Sequence, residues 1–360
     1  MNNLSAFTLK APGRVFLFGE HSDYLGLEVI SAAINQYITI SSEIRKDKTF
    51  KINLLNYHKT ESFVIGEKLT YKHSRDYLRS AYNVLREKGI QPLNGAQMKV
   101  FGNIPIAAGL SSSSAFAVAC IMAFSKLANT TITREQIAQY AYEAEVVEFG
   151  ESGGMMDHLS SVFGKIIHVN FGDNFKLRQL PSEINGFVIG DSLEKKKNTV
   201  GDLKIIRTSV ENGYNLLKKE LTDFNHKTTP LDKIIEVIEI LPEPIRTITL
   251  TTIQNRDLTR EALKYLEKKN PESEIIGQLI VYEHKLLRDG LNRSTPKIEK
   301  MIKNCLNAGA LGCKINGSGG GGSILAYAPG KEKEVSKAIK KSDGIPYIIK
   351  ISEGASFKNI

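Results

Sequence analysis

Four consecutive serines, Ser111 to Ser114, stand in front of the apolar run AFAVACIMAF and behind Gly102-Asn-Ile-Pro105-Ile-Ala-Ala-Gly109-Leu110. Small residues and hydroxyls where a loop enters a helix suit a phosphate group. The first helical turn offers unpaired N–H donors and the positive end of the helix dipole. Gly109 lets the backbone approach closely, and the hydroxyls can cap the helix or ligate a metal. No acidic residue between Gly102 and Lys126 repels an anion. The same residues also read as a plain serine cap on a buried helix, although four serines exceed what a cap requires.

Two further segments carry chemistry. Asn316-Gly317-Ser318-Gly319-Gly-Gly-Gly322-Ser323 formally fits G-x-G-x-x-G. A dinucleotide site needs a strand before it, a helix after it and an acid about 20 residues on. Here the strand-like run SILAY follows, so the segment reads as a glycine-rich turn, either closing over a ligand or forming a flexible hairpin. The third segment is Arg14-Val-Phe-Leu-Phe-Gly19-Glu20-His21-Ser22-Asp23-Tyr24. Its acids and imidazole could bind a metal or hydroxyl groups, but no H-E-x-x-H pattern is present. Polyol recognition by carboxylates is the functional reading and a solvated loop the plain one. There is no Walker A sequence and no H-R-D or D-F-G set.

These segments need elements to hold them. β-Branched runs predict strands at 8–17, 26–44, 96–101, 165–171, 186–190, 323–327 and 346–351. Helical periodicity predicts helices at 75–88, 111–127, 134–149, 201–220, 231–240, 258–268, 274–289, 296–308 and 331–341. Thr133 and Gln136 form a T-x-x-Q capping box for the third of these. The composition shifts near 185–200, which places a domain boundary there, giving 1–190 and 191–360.

The 360 residues are 41% hydrophobic and 24% charged, which excludes a disordered, collagenous or coiled-coil chain and suits about two domains. Three cysteines, Cys120, Cys305 and Cys313, form no CxxC pair, so a reducing cytosol is expected. No apolar run approaches the ~18 residues of a membrane span, and the N-terminus has no secretory pattern. Lys plus Arg exceeds Asp plus Glu by 48 − 39 = 9. A polyanionic partner and a lysine-rich surface both fit that excess. The lysines at 195–197, 268–269 and 331–341 lack interleaved aromatics, which favours the surface and argues against nucleic acid. No membrane partner is expected.

Together the three segments resemble the GHMP kinases. The family's P-x-x-x-G-L-S-S-S-A loop is met by Pro105 to Ser113 and its glycine motif by Lys314 to Gly322. Within the family, Ala11-Pro-Gly-Arg14, Gly19-Glu20-His21-x-Asp23-Tyr24, Gly150-Glu-Ser-Gly-Gly154-Met-Met-Asp157 and Tyr282 to Asp289 look most like galactokinases. The resemblance implies an α/β protein of two domains: one like the second domain of ribosomal protein S5, and a ferredoxin-like C-terminal domain. ATP would lie between them with Mg²⁺, and a monosaccharide would be phosphorylated on its anomeric hydroxyl.

By the same resemblance Asp157 is the catalytic aspartate and Arg14 its arginine partner. Glu20, His21, Asp23 and the Gly154 backbone contact sugar hydroxyls. Pro105, Gly109, Leu110, Ser111, Ser112, Ser113, Ser114, Gly317 and Gly319 contact ATP, and Ser113 and Glu145 serve Mg²⁺. An ideal α-helical wheel puts Glu148, rather than Glu145, among Ile137, Ala141 and Ala144, so Glu148 competes for the metal role. The chain departs from galactokinases at Phe16, Phe18, Gly153 and His158. It also has no Tyr in 195–207 and no Pro near Ile30, and it shares L-F-G-E-H with mevalonate kinases. The sugar is therefore left open. Mevalonate kinase and a catalytically silent sugar sensor are the alternatives. A cytoplasmic monomer or homodimer is expected.

Overall fold

The computed structural model describes residues 6–106, 108–172, 175–196 and 199–358. The expectation of no secretory signal rests mainly on residues 1–5, and part of the 195–197 lysine cluster on Lys197; both lie outside the described residues.

Two long β-branched runs form strands β1 (Phe7–Phe18) and β2 (Glu28–Ile44), paired antiparallel. The register breaks between Pro12 and Arg14, where Pro12 has no N–H to give the ladder. A hairpin of β3 (Thr49–Leu54) and β4 (Lys59–Val64) joins through β5 (Ala96–Gly102), which runs parallel to β3 and antiparallel to β2. Helices α1 (Tyr77–Glu87), α2 (Ser112–Leu127), α3 (Arg134–Tyr142) and α4 (Met156–Phe163) follow in chain order around β5. α2 and α4 pack on β1 and β2, and α1 and α3 pack on α2. The Thr133–Gln136 capping box is formed. β6 (Ile166–Asn170) pairs with β2, and β7 (Lys176–Gln179) with β6.

A second sheet begins at β8 (Phe187–Asp191). The intervening chain forms α5 (Thr199–Glu220), α6 (Leu231–Val237), α7 (Ile245–Leu266), α8 (Ser273–Lys285) and α9 (Pro296–Asn307). It then adds β9 (Gly312–Asn316), β10 (Ser323–Tyr327), α10 (Glu332–Lys341) and β11 (Ile345–Ile349). The strands lie in the order β11-β8-β10-β9, all antiparallel, with α9 and α10 packed on them. The last strand, β12 (Ser356–Lys358), returns to the first sheet beside β1. The chain thus changes sheet between β7 and β8, and residue 190 lies inside a strand of the second sheet. Among the described residues no helix is long and apolar enough to cross a membrane.

The glycine-rich segment is the turn of the β9–β10 hairpin, with Asn316 opposite Ser323. α7 starts at Ile245, well before the expected 258. Its first turns are rich in Ile and Thr, whose helix propensity is poor, and packing on α5 overrides it. The eight-residue α4, which carries Asp157, shows too little periodicity to be read from sequence.

Candidate active site

Arg14 leaves the irregular part of β1 and meets Asp157 in the first turn of α4. Its Nε donates to Asp157 Oδ1 at 2.6 Å and its Nη2 to Oδ2 at 2.8 Å, a two-pronged pair. Nη1 donates to the Gly109 carbonyl oxygen at 2.7 Å. The guanidinium lies 4.5 Å above the Phe16 ring, so one departure from galactokinases supports the arginine through a cation–π contact. Ser111 Oγ donates to Asp157 Oδ2 at 2.6 Å. Burial disfavours the charged carboxylate of Asp157, but Arg14 and Ser111 outweigh it and hold the pKa below the usual range.

Because the Ser111 hydroxyl is turned to Asp157, it does not cap α2. Ser111 sits at φ 57°, no side chain caps the helix, and its first turn holds no acid. Ser112 to Ser114, in the first turn of α2, line the same cavity as Asp157, an opening of about 790 Å³. Gly109 adopts φ +76°, and a β-carbon there would lie 2.8 Å from the Asn316 carbonyl oxygen, so glycine is required. Pro105, Leu110 and Gly317 also line this cavity; buried Gly319 packs behind the hairpin against Arg293.

One side of the cavity is formed by the turn after β1. His21 Nδ1 and the Tyr24 hydroxyl are 2.9 Å apart. Burial, with Arg293, Lys196 and Lys314 adding to it, lowers the His21 pKa to about 3, so the imidazole is neutral. His21 Nε2 has no partner among the described residues. Asp23 is raised to about 6 by burial and by the neighbouring charge of Asp157. Its carboxylate rests on Gly154.

Glu20 has a different position from that expected. It is 1% exposed, and both its oxygens are engaged, Oε2 by Lys314 Nζ at 2.5 Å and Oε1 by the Gly317 N–H. Lys314 also meets Glu283 at 3.1 Å, and Glu283 Oε1 accepts the N–H groups of Gly19 and Glu20. Glu20 therefore joins the turn after β1 to the glycine hairpin. Burial raises its pKa, with Glu283 adding to the rise and Lys314 opposing it. Asn316 makes a second joint: its Oδ1 accepts the Phe16 N–H at 3.3 Å and its Nδ2 donates to the Gly109 carbonyl at 2.9 Å.

One turn of π-helix at Glu143–Val147 places Glu145 and Glu148 differently from an ideal α-helix. The extra residue in that turn shifts everything after it by one position on the helical wheel. Glu145 is thereby buried with its Oε2 2.7 Å from His158 Nε2, whereas Glu148 is exposed and bonded to the Tyr71 hydroxyl. Ser113 and Glu145 line one cavity. If a phosphate bound beside them, their side-chain oxygens would suit Mg²⁺, which takes few protein ligands and keeps water or phosphate for the rest. No group of three or more His, Cys, Asp or Glu that could hold a metal occurs among the described residues.

Four participants were not singled out by sequence. Lys314 and Glu283 are fully buried, and a lysine within the apolar strand GCKIN was the available signal. Asn316 directly precedes the glycines. Lys196, counted with a surface cluster, lines the cavity.

Comparison with known proteins fits this geometry. Residues 76–165 match the GHMP kinases N terminal domain, residues 262–343 the GHMP kinases C terminal, and residues 2–42 the galactokinase galactose-binding signature. The chain is 30% identical over 352 residues to mevalonate kinase of Thermococcus gammatolerans, covering 95% of each chain. It is 29% identical over 360 residues to mevalonate kinase of Pyrococcus furiosus, covering 97% of this chain and 98% of the relative. Lactococcus lactis galactokinase complexed with galactose has the same fold, with a TM-score of 0.85 at 20% identity over 98% of this chain and 95% of that one. Methanococcus jannaschii mevalonate kinase superposes with a TM-score of 0.74 at 23% identity over 97% and 99%. The two matched domains define a kinase. The chain belongs to the GHMP kinase family.

Proposed function

We propose that this GHMP kinase transfers the γ-phosphoryl group of ATP to the anomeric hydroxyl of a monosaccharide. The observation that carries the proposal is the pair of carboxyl groups, Asp157 held by Arg14 and Asp23 seated on Gly154, at one end of the cavity. Neutral His21 and Asp23 supply hydrogen-bond partners for several ring hydroxyls. A sugar's anomeric hydroxyl, the most acidic it has, would sit at Asp157. The α2 N-terminus and the glycine hairpin would hold the phosphates.

A carboxylate held below its usual range is a weak base. Asp157 therefore orients the hydroxyl and takes its proton late, as the oxygen–phosphorus bond forms and the bond to the β-phosphate bridging oxygen breaks. Arg14 keeps Asp157 ionised and fixed. Mg²⁺, held by Ser113 and Glu145, would neutralise charge on the phosphates.

Mevalonate phosphorylation is the second reading, favoured by the mevalonate kinases that match nearly the whole chain. Two facing acids argue for a neutral polyol over an anionic substrate. A silent sugar sensor would bind the same ligands without turnover. ADP release measured against a panel of hexoses, pentoses, uronic acids and mevalonate tests all three. Turnover of mevalonate alone would overturn the sugar assignment, and binding without turnover would support the sensor.

A further inference from the structure

Residues 195–197 read as solvated lysines, yet Lys196 turns inward. Its Nζ donates to Ser318 Oγ at 3.0 Å. It lies 3.0 Å from the point where a β-carbon on Gly109 would stand and 3.4 Å from the same point on Gly317. The ammonium therefore sits between the loop that enters α2 and the glycine hairpin. Among the described residues no carboxylate comes within 4.0 Å of it, and its hydrogen bond is to a neutral hydroxyl. Burial, together with the charges of Arg14 and Arg293 and against those of Glu20 and Asp157, lowers its pKa to about 8. A positive group so placed is incomplete until an anion arrives.

Arg14 is poorly free to meet that need alone. Three of its five N–H donors are committed, two to Asp157 and one to Gly109. Lys196 has one of three committed.

We propose that Lys196 is a catalytic residue whose ammonium contacts the transferring phosphoryl group, from between the two phosphate-binding loops. This rests on the kinase reading above. The acceptor oxygen–phosphorus bond forms, the bond to the β-phosphate bridging oxygen breaks, and the proton goes to Asp157. Lys196 gives up no proton and stays an ammonium, offsetting charge on the equatorial oxygens.

The test uses the full chain with Lys196→Met, Lys196→Arg and Ser318→Ala, each checked for folding by thermal melting. The first readout is the ratio of ADP to AMPPNP dissociation constants in Mg²⁺, because only AMPPNP carries the third phosphoryl group. Lys196→Met should reduce that preference about tenfold or more, and Lys196→Arg should retain part of it, as expected for one lost charged contact. The second readout is turnover: kcat should fall roughly 10²-fold in Lys196→Met with the acceptor KM little changed. An unaltered ADP to AMPPNP ratio in Lys196→Met would overturn the proposal. So would an equal loss in Ser318→Ala, which would make Lys196 a mere brace of the hairpin. If the wild-type chain phosphorylates nothing in the panel, the acceptor reading falls, and the nucleotide ratio still decides the role of Lys196.

Discussion

Asp23 and Gly154 are in contact so close that a β-carbon on residue 154 would lie 2.1 Å from Asp23 Oδ2. The acceptor loop after β1 and the turn before α4 are thus fitted to one another through the missing side chain. Gly154→Ala should displace the Asp23 carboxylate while leaving the phosphate loops in place. The acceptor KM should rise about tenfold or more, the worth of one hydrogen bond to a charged group, with the ATP KM unchanged. Steady-state kinetics with both substrates varied checks this, and a parallel rise in both constants would show a wider disturbance.

Asp23 also carries a cost to the fold. Its folded pKa of about 6 stands above the ordinary value of an aspartate, through burial and the charge of Asp157. A raised carboxyl pKa means that the folded protein binds the proton more tightly, so this group's contribution to stability declines as pH rises through about 6. Asp23→Asn removes the charge. The variant should be more stable than wild type at pH 8, by roughly 3 kcal/mol at most, with the difference fading toward pH 4, and it should bind the acceptor more weakly. Melting curves at the two pH values and calorimetry with the sugar measure both effects.

Asp157→Asn keeps the shape of the site and removes the proposed proton acceptor. It leaves the buried Arg14 guanidinium without its counter-ion. Turnover should fall by about 10²–10⁴, the usual contribution of a positioned acid or base. Binding of whichever acceptor the substrate panel identifies should survive by calorimetry, and a kcat near wild type would remove Asp157 from the proposed mechanism.

How legible this site was depends on how local each part is. The serine loop, the Glu20–Tyr24 turn and the glycine hairpin are contiguous, so residue type and order disclosed them. Most helices were visible for the same reason, and the Thr133 cap was readable residue by residue. What was hidden arises from contacts between distant segments. Nothing near Glu20 announces that Lys314, 294 positions away, will take its carboxylate. The π turn at Glu143–Val147 was invisible to a wheel that assumes 3.6 residues per turn. Lys196 looked like its neighbours because the count of charge ignores where a side chain points.

That π turn makes the two glutamates separable by experiment. Glu148→Ala loses one exposed contact to Tyr71 and should leave turnover and its Mg²⁺ dependence near wild type. Glu145→Ala removes a carboxylate from the cavity and strips His158 of its partner. It should raise the Mg²⁺ concentration needed for half-maximal turnover about tenfold or more, in line with loss of one charged ligand. Titration of Mg²⁺ at saturating ATP compares them, and equal effects of the two substitutions would overturn the proposal that Glu145 serves the metal.

The buried triad of Lys314, Glu20 and Glu283 yields a prediction whose sign depends on pH. With Lys314 present, both carboxylates share a positive charge at 2.5 and 3.1 Å. Lys314→Met leaves two acids facing each other without it, and breaking a buried pair in this way costs about 3–5 kcal/mol. Burial and Glu283 already raise the Glu20 carboxyl against Lys314, so in the variant its folded pKa would rise further above the usual carboxylate range. A raised value stabilises the fold below the unfolded pKa and loses that contribution as pH rises through the folded one. The gap in melting temperature between wild type and Lys314→Met should therefore widen from pH 5 to pH 8. Adding Glu20→Gln to the variant should narrow the gap at pH 8, because one of the two uncompensated charges is gone. A gap that stays constant across this range would mean that Lys314 acts by filling space rather than by its charge.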